Sequence, residues 1–422
     1  MTTGREEKKL PRMLSGCRAL DLTDEKGFLC GKMLADLGVD VIKIERPGGD
    51  PSRRMGPFWH DVVDPEKSLY WFAYNTNKRG ITLDIETAKG RDILLALVRE
   101  ADFLIESFEP GHMEGLGLGY AALSGINKGI IVTSITPFGQ TGPYSRYKAT
   151  DLVLMGMGGE LFLTGDSDRP PVNVSLPQAC LHAGADGAVG AMIAYHHRKR
   201  SGEGQHVDIS MQQSVAWFLA TTVPYWEIDK IILGRVGTFR SGSSSGTVQR
   251  QVWQCKDGYI FFFMIGGIQG AKTCRQLVKW MDEEGMADEF LLSYEWEQFD
   301  MASATQDLID RISGPIAAFF LTRTKKEALE AAISRNISIC PLFGMKDVLE
   351  DPNLAARGYW TYLDHPELKA AIPYPRQFVT SSENDTDTRI RAPIAGEHNA
   401  EVYGGMGISA RDMAALKEAG VI

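Results

Sequence analysis

Paired cysteines are missing from this chain. Cys17, Cys30, Cys180, Cys255, Cys274 and Cys340 are scattered, with no CxxC element among them. That spacing argues against a zinc site or a disulfide framework and fits a reducing compartment. Long apolar runs are missing too. The densest, Tyr259 to Ile268, is too short to span a bilayer and contains Gly266 and Gly267. The segment Met1 to Arg12 is polar and has no apolar signal core. Nor is there an excess of positive charge: 45 Lys and Arg stand against 54 Asp and Glu, a formal net charge of −9, which is not the footprint of a nucleic-acid binder. The expectation is a cytoplasmic protein with neither nucleic acid nor membrane as partner. Nucleotide fingerprints are equally lacking. The first strand-to-helix turn reads Thr23-Asp-Glu-Lys-Gly27, where a dinucleotide site needs G-x-G-x-x-G. No P-loop and no HExxH occurs either. Neither NAD nor a metal is expected.

What is present is a chain of 422 residues, 44% apolar and 23% charged, enough for two or three domains with ordinary cores. Its first third alternates. Arg18–Thr23 is strand-like, Gly27–Leu37 has helical spacing ending at Gly38, and Val39–Glu45 is rich in β-branched residues. Strand Gly80–Asp84, helix Thr87–Glu100, and strands Asp102–Glu106 and Gly129–Ser134 continue the series. Such alternation predicts a parallel sheet covered by helices. A long helix is predicted from Gln178 to Arg200, its basic end His196-His-Arg-Lys-Arg200 reading as a solvated last turn, followed by strand His206–Met211. Beyond Trp226 the composition changes to a turn-rich loop, Arg240–Gly246, then a short strand Tyr259–Met264 and several helices, one opening with the capping box Thr324-x-x-Glu327. Periodicity alone does not name a reaction.

Longer motifs do. Leu34-Ala-Asp-Leu-Gly-Val-Asp-Val-Ile-Lys-Ile-Glu-Arg-Pro47, Asn75-Thr-Asn-Lys-Arg79, Glu106-Ser-Phe-Glu-Pro-Gly111 with Leu116-Gly-Leu-Gly119, and Ser134-Ile-Thr-Pro-Phe-Gly-Gln-Thr-Gly-Pro143 follow one another in order. Gly202-Glu-Gly-Gln205, Lys256-Asp-Gly-Tyr259, Asp347-Val-x-x-Asp-Pro352 and Ala392-Pro-x-x-Gly-Glu-His398 come after them. The series resembles the class III CoA-transferase family, which includes formyl-CoA transferases, carnitine CoA-transferases and 2-methylacyl-CoA racemases. The resemblance implies an α/β fold: a large Rossmann-like domain with a parallel sheet, and a smaller α+β domain. The chain would be ring-shaped, two rings interlocking into a dimer. It would divide into 1–205 of the large domain, a linker 206–239, the small domain 240–340, and a return to the large domain over 341–422. Coenzyme A or an acyl-CoA would be the substrate. Arg46 would meet its phosphates, with Lys78 and Arg79 as further candidates, and Phe108 would lie against the adenine.

The family's covalent chemistry needs an aspartate at the start of the long helix, which attacks the thioester and forms a mixed anhydride. Counting back without gaps from Gly202-Glu-Gly-Gln205 puts that position at Ala179 or Cys180, in Leu176-Pro-Gln-Ala-Cys-Leu181. No carboxylate stands there. Asp186 is six residues past Cys180, about 9 Å along the helix, too far to replace it. Asp166 and Asp168 read as turn residues. Gly115 and Thr136 stand where relatives often carry basic residues, Arg240–Gly246 replaces a glycine-rich lid, and Ala149 replaces the histidine of the racemase branch. Three readings follow from the resemblance. In the first, the chain is the non-catalytic subunit of a heterodimer or heterotetramer whose homologous partner bears the aspartate, as in succinyl-CoA:(R)-benzylsuccinate CoA-transferase, with succinyl-CoA as donor. The second is a self-sufficient homodimer using Cys180 or another nucleophile; Cys180 would be activated at the helix N-terminus, whereas the plainer reading of a free cysteine there is a small buried hydrophobe. The third is a CoA-binding scaffold or sensor.

Overall fold

The structure, a computed structural model, describes residues 11–241 and 247–422, so most of the turn-rich Arg240–Gly246 loop lies outside the described residues. These divide into two compact units. One comprises residues 11–161, 173–230 and 353–422, the other 162–172 and 231–352.

The first unit is built on six parallel strands: β1 (Arg18–Leu22), β2 (Asp40–Glu45), β3 (Lys78–Thr82), β4 (Phe103–Glu106), β5 (Ile131–Thr136) and β6 (His206–Ser210). Their order is β3-β2-β1-β4-β5-β6, all pairs parallel. The β-branched runs seen in the sequence are buried on both faces, as helices on either side require. Against one face lie α1 (Phe28–Asp36), which ends at Gly38 with φ +103°, and the long α3 (Gln178–Ser201). Against the other lies α2 (Ala88–Val98), whose amino end is capped by the Thr87 hydroxyl, together with the C-terminal Val402, Tyr403, Val421 and Ile422. Strand β6, at the opening of the expected 206–239 linker, is one of the two edge strands of this sheet.

Small residues let α3 approach closely. A Cβ on Gly184 would come within 2.9 Å of the Leu29 Cβ, and one on Gly187 within 3.0 Å of the Ile135 side chain. At the other end of α3, Arg198 is not solvated as its basic neighbours suggested. It donates to the carboxylate of Asp102 at 2.6 Å and to the Gly129 carbonyl at 2.9 Å, tying the helix to the sheet.

The second unit carries an antiparallel three-stranded sheet, Val252–Cys255, Gly258–Phe261 and Cys340–Leu342. Helices Gly267–Glu283, Gln306–Phe320 and Lys325–Arg335 surround a core that includes Trp253, Trp280, Phe319 and Phe320. The Thr324/Glu327 capping box forms as its sequence predicts. Asp166 belongs to this unit, where Arg235 Nε donates to its backbone carbonyl at 3.3 Å.

Beneath the β1–α1 turn lies a wholly buried ionic group. Lys78 Nζ donates to Asp21 Oδ2 at 2.8 Å, to the Phe28 carbonyl at 2.9 Å and to Asn75 Oδ1 at 2.9 Å. Lys43 Nζ lies 3.7 Å from Asp21 Oδ1 and donates to the Thr23 carbonyl. Burial opposes the charge on Asp21, but Lys78 and Lys43 outweigh it and hold the carboxyl below the ordinary range. Its folded-state value is depressed, so its stabilisation is present at neutral pH and fades as the pH falls through that value. Asp21→Ala leaves two buried ammonium groups without their anion. We expect a loss of about 3–5 kcal/mol in urea unfolding; an unchanged midpoint would show that the cluster contributes nothing.

Candidate functional site

In the strand order found here the connections diverge between β1 and β4, and sheets of this kind bind ligands at the carboxyl ends of the strands beside such a point. Two turns meet there. Ser107, after β4, donates its hydroxyl to Asp24 Oδ1 at 2.8 Å and accepts the Asp24 N–H at 2.9 Å, joining the β4 turn to the β1 turn. Lys26 pairs with Asp24, and Glu25 accepts from the Ser52 hydroxyl at 2.8 Å. Phe108, half-buried, donates its N–H to the Glu106 carboxylate at 2.8 Å, and its ring stacks on His112 with centroids 4.7 Å apart.

Phe108 separates two cavities. One, about 410 Å³, is bounded by Arg46, Asp24, Glu25 and Leu83. The other, about 570 Å³, is bounded by Lys26, Arg146, Tyr147, Lys148 and Glu109, the last two paired at 3.1 Å. Of the residues singled out in the sequence, Arg46 and Phe108 meet here. Arg46 is exposed at the rim and pairs with Glu86 at 2.7 Å.

The other two cations do not meet here. Lys78 is spent in the buried group with Asp21 and cannot reach a surface-bound ligand. Arg79 lies at the opposite, amino-terminal edge of the sheet, held by Asp40 at 2.7 Å and Glu401 at 2.9 Å. Lys26, Arg146 and Lys148 escaped the sequence reading. The available signal was a run of cations at 146 and 148, just past the Gly142-Pro143 dipeptide. At Gly115 an added Cβ would meet nothing within 4 Å, so no steric constraint explains the missing basic side chain.

The amino end of α3 carries Cys180, and the carboxylate of Asp151 lies against it. The Asp151 carboxylate accepts the N–H of Gln178 at 3.2 Å and of Cys180 at 3.3 Å, capping the helix from outside. Cys180 itself is buried. Burial pushes its thiol well above the ordinary range, Asp151 and then Glu25 push it further, and Lys26 offsets only part. The activation expected of a helix N-terminus is therefore reversed by desolvation and by the neighbouring carboxylates. Ala179 is buried. Asp186 faces a separate cavity with Asp208 and Trp217.

Comparison with known proteins settles the family. The profile of CoA-transferase family III matches residues 14–399. The chain belongs to that family. It is 33% identical, over 96% of its own length and 97% of the other's, to the succinyl-CoA:(R)-benzylsuccinate CoA-transferase subunit BbsE of Thauera aromatica. It is 30% identical to the succinyl-CoA–D-citramalate CoA-transferase of Chloroflexus aurantiacus, over 98% of both chains. A CaiB/BaiF family protein from Brucella suis of known crystal structure superposes with a TM-score of 0.77 at 28% identity, covering 94% of this chain and 100% of that one. The transferase family thus supplies the reaction class, and acyl-CoA is the substrate its members handle.

The state of Cys180 is open to direct measurement. Iodoacetamide at pH 7.5 should label the exposed Cys340 in the folded chain and leave Cys180 unmodified until denaturant is added. Labelling of native Cys180 at the rate of a free thiol would overturn the assignment of an inert, buried group.

Proposed function

We propose that this chain is the non-catalytic subunit of a cytoplasmic CoA-transferase that moves CoA from succinyl-CoA to a second carboxylic acid. The observation that carries the reading is the amino end of α3. The two positions to which the count assigns the family's nucleophile, Ala179 and Cys180, carry a buried methyl group and a buried thiol biased toward its neutral form, and the Asp151 carboxylate bonded to that helix end is committed to two backbone N–H groups. Asp151 and Glu25 add negative charge beside it that Lys26 offsets only in part, which disfavours a further anion there. The likeness to a transferase named as a subunit, and to a second relative whose name specifies succinyl-CoA, supports the same reading.

In this proposal the covalent chemistry belongs to a homologous chain that bears the aspartate, and the two chains interlock as a dimer or as a tetramer of such pairs. CoA bound to this chain runs along the paired cavities. Arg46 meets a phosphate by a charge-assisted contact, Phe108 offers the ring face not covered by His112 to the adenine, and Arg146 and Lys148 supply cations that Gly115 and Thr136 do not.

Two experiments test this. Affinity purification from the native cell, followed by an assay of succinyl-CoA-dependent acyl exchange, should give activity only in a complex with an aspartate-bearing homologue. Exchange by the pure homodimer would defeat the proposal. In a CoA titration, Arg46→Ala should weaken binding about tenfold to a hundredfold, the worth of one charge-assisted contact; undiminished affinity would remove Arg46 from the site.

A further inference from the structure

Glu106 closes β4 beneath the Phe108 turn and is almost completely buried. Its carboxylate accepts the Phe108 N–H at 2.8 Å and a hydrogen bond from the Ser134 hydroxyl on β5. Ser134 Oγ lies 2.9 Å from Nε2 of His206 on β6. The His206 ring is exposed and stacks on Tyr120, with centroids 5.7 Å apart and 17° between planes. A buried carboxyl, a buried hydroxyl and a solvent-facing imidazole therefore form one line across three strands. Nothing in the transferase chemistry uses it.

We propose that Glu106 is a positioning residue: its protonation state sets the Phe108 turn, so that the affinity of this chain for coenzyme A follows pH, with protons exchanged through Ser134 and His206. The proposal rests on the reading that Phe108 borders the coenzyme A site.

When Glu106 is ionised, Ser134 donates to it and accepts the N–H of His206, while the Phe108 amide donates to a full negative charge. When it is protonated, its own O–H donates to Ser134, Ser134 donates to the unprotonated ring nitrogen, and Phe108 keeps only a neutral acceptor. The proton that His206 takes from water is the proton Glu106 gains. Charge-assisted hydrogen bonds are about twice as strong as neutral ones, so the turn is held more firmly in the ionised state.

The groups facing Glu106 place the transition in a working range. Burial pushes its carboxyl up to about 7, against the pull of Ser134 and the Phe108 amide, and Glu114 on the short helix His112–Gly115 and Asp24 on the β1 turn push in the same direction as burial. His112, from that same helix, covers Phe108 itself.

The full chain can be titrated with coenzyme A by calorimetry between pH 6 and 8.5, alongside Glu106→Gln and Ser134→Ala. In parallel, the amide resonance of Phe108 can be followed in phenylalanine-labelled protein without ligand. The wild type should bind about fivefold to tenfold more weakly at the acid end, and the Phe108 amide should titrate with the same midpoint. Glu106→Gln, which keeps an amide oxygen as acceptor, should abolish both pH dependences beyond that of the ligand itself. Ser134→Ala should move the midpoint to higher pH, because it removes a hydrogen bond that favours the ionised form. A Phe108 amide that does not titrate, or Glu106→Gln retaining the wild-type profile, would overturn the proposal. Failure of the wild type to bind coenzyme A at any pH, with the amide still titrating, would overturn the affinity claim and the reading of the cavity while leaving Glu106 as the group that controls the turn.

Discussion

The buried contact of Asp21 with Lys43 and Lys78 is the constraint on which the rest of the large unit depends. It gathers residues of β1, β2 and β3 beneath the β1–α1 turn, and the same lysines hold the carbonyls of Thr23 and Phe28. Asp21 also accepts the N–H of Thr23 at 3.0 Å and its hydroxyl at 2.6 Å. The turn is thus fixed from below by charge. Groups so fully removed from water persist only when each finds its counter-charge and its hydrogen bonds together, which leaves the turn one geometry. Phe28 adds its ring face, 5.3 Å from one ammonium and 5.5 Å from the other.

On that foundation the rim is unusually acidic for a surface proposed to meet phosphates. Asp24, Glu25, Glu45 and Asp50 all border the cavity beside Arg46. Glu45 is neutralised by a bidentate contact with Arg53, at 2.6 and 2.8 Å, and Asp24 by Lys26. The cations Arg146 and Lys148 stand on the far side of Phe108. Glu109 lines that second cavity too and pairs with Lys148 at 3.1 Å, so the aromatic ring divides two surfaces that each carry both signs of charge.

The fold was legible because its signals are local. The β-branched runs, the Gly38 helix stop and the Thr324 capping box each act within a few residues, and the elements they predict are present. The motif match was equally informative about family and less so about roles. Asn75-Thr-Asn-Lys-Arg79 carries two cations, and a sequence cannot say which way they point. In space Asn75 and Lys78 complete the buried group, while Asn77 Oδ1 accepts the N–H groups of Arg389 at 2.9 Å and Ile390 at 3.1 Å, holding a segment more than three hundred residues away. The surroundings of Cys180 were hidden for a related reason. The helix terminus is visible in sequence, whereas the carboxylates of Asp151 and Glu25 arrive from distant turns. Lys26, Arg146 and Lys148 converge by the same kind of tertiary accident.

The close seam between α1 and α3 has a consequence for how such a chain changes over time. Because Gly184 and Gly187 let the two backbones touch, the position of the amino end of α3 is set one and two turns below residue 180, by contacts that do not involve its side chain. Replacement of that side chain leaves these backbone contacts in place, although residue 180 is itself packed in the core. The seam thus uncouples where the helix end sits from which side chain it carries: the register of α3 is held by backbone packing further along, and a residue of similar volume at its amino end inherits the same place.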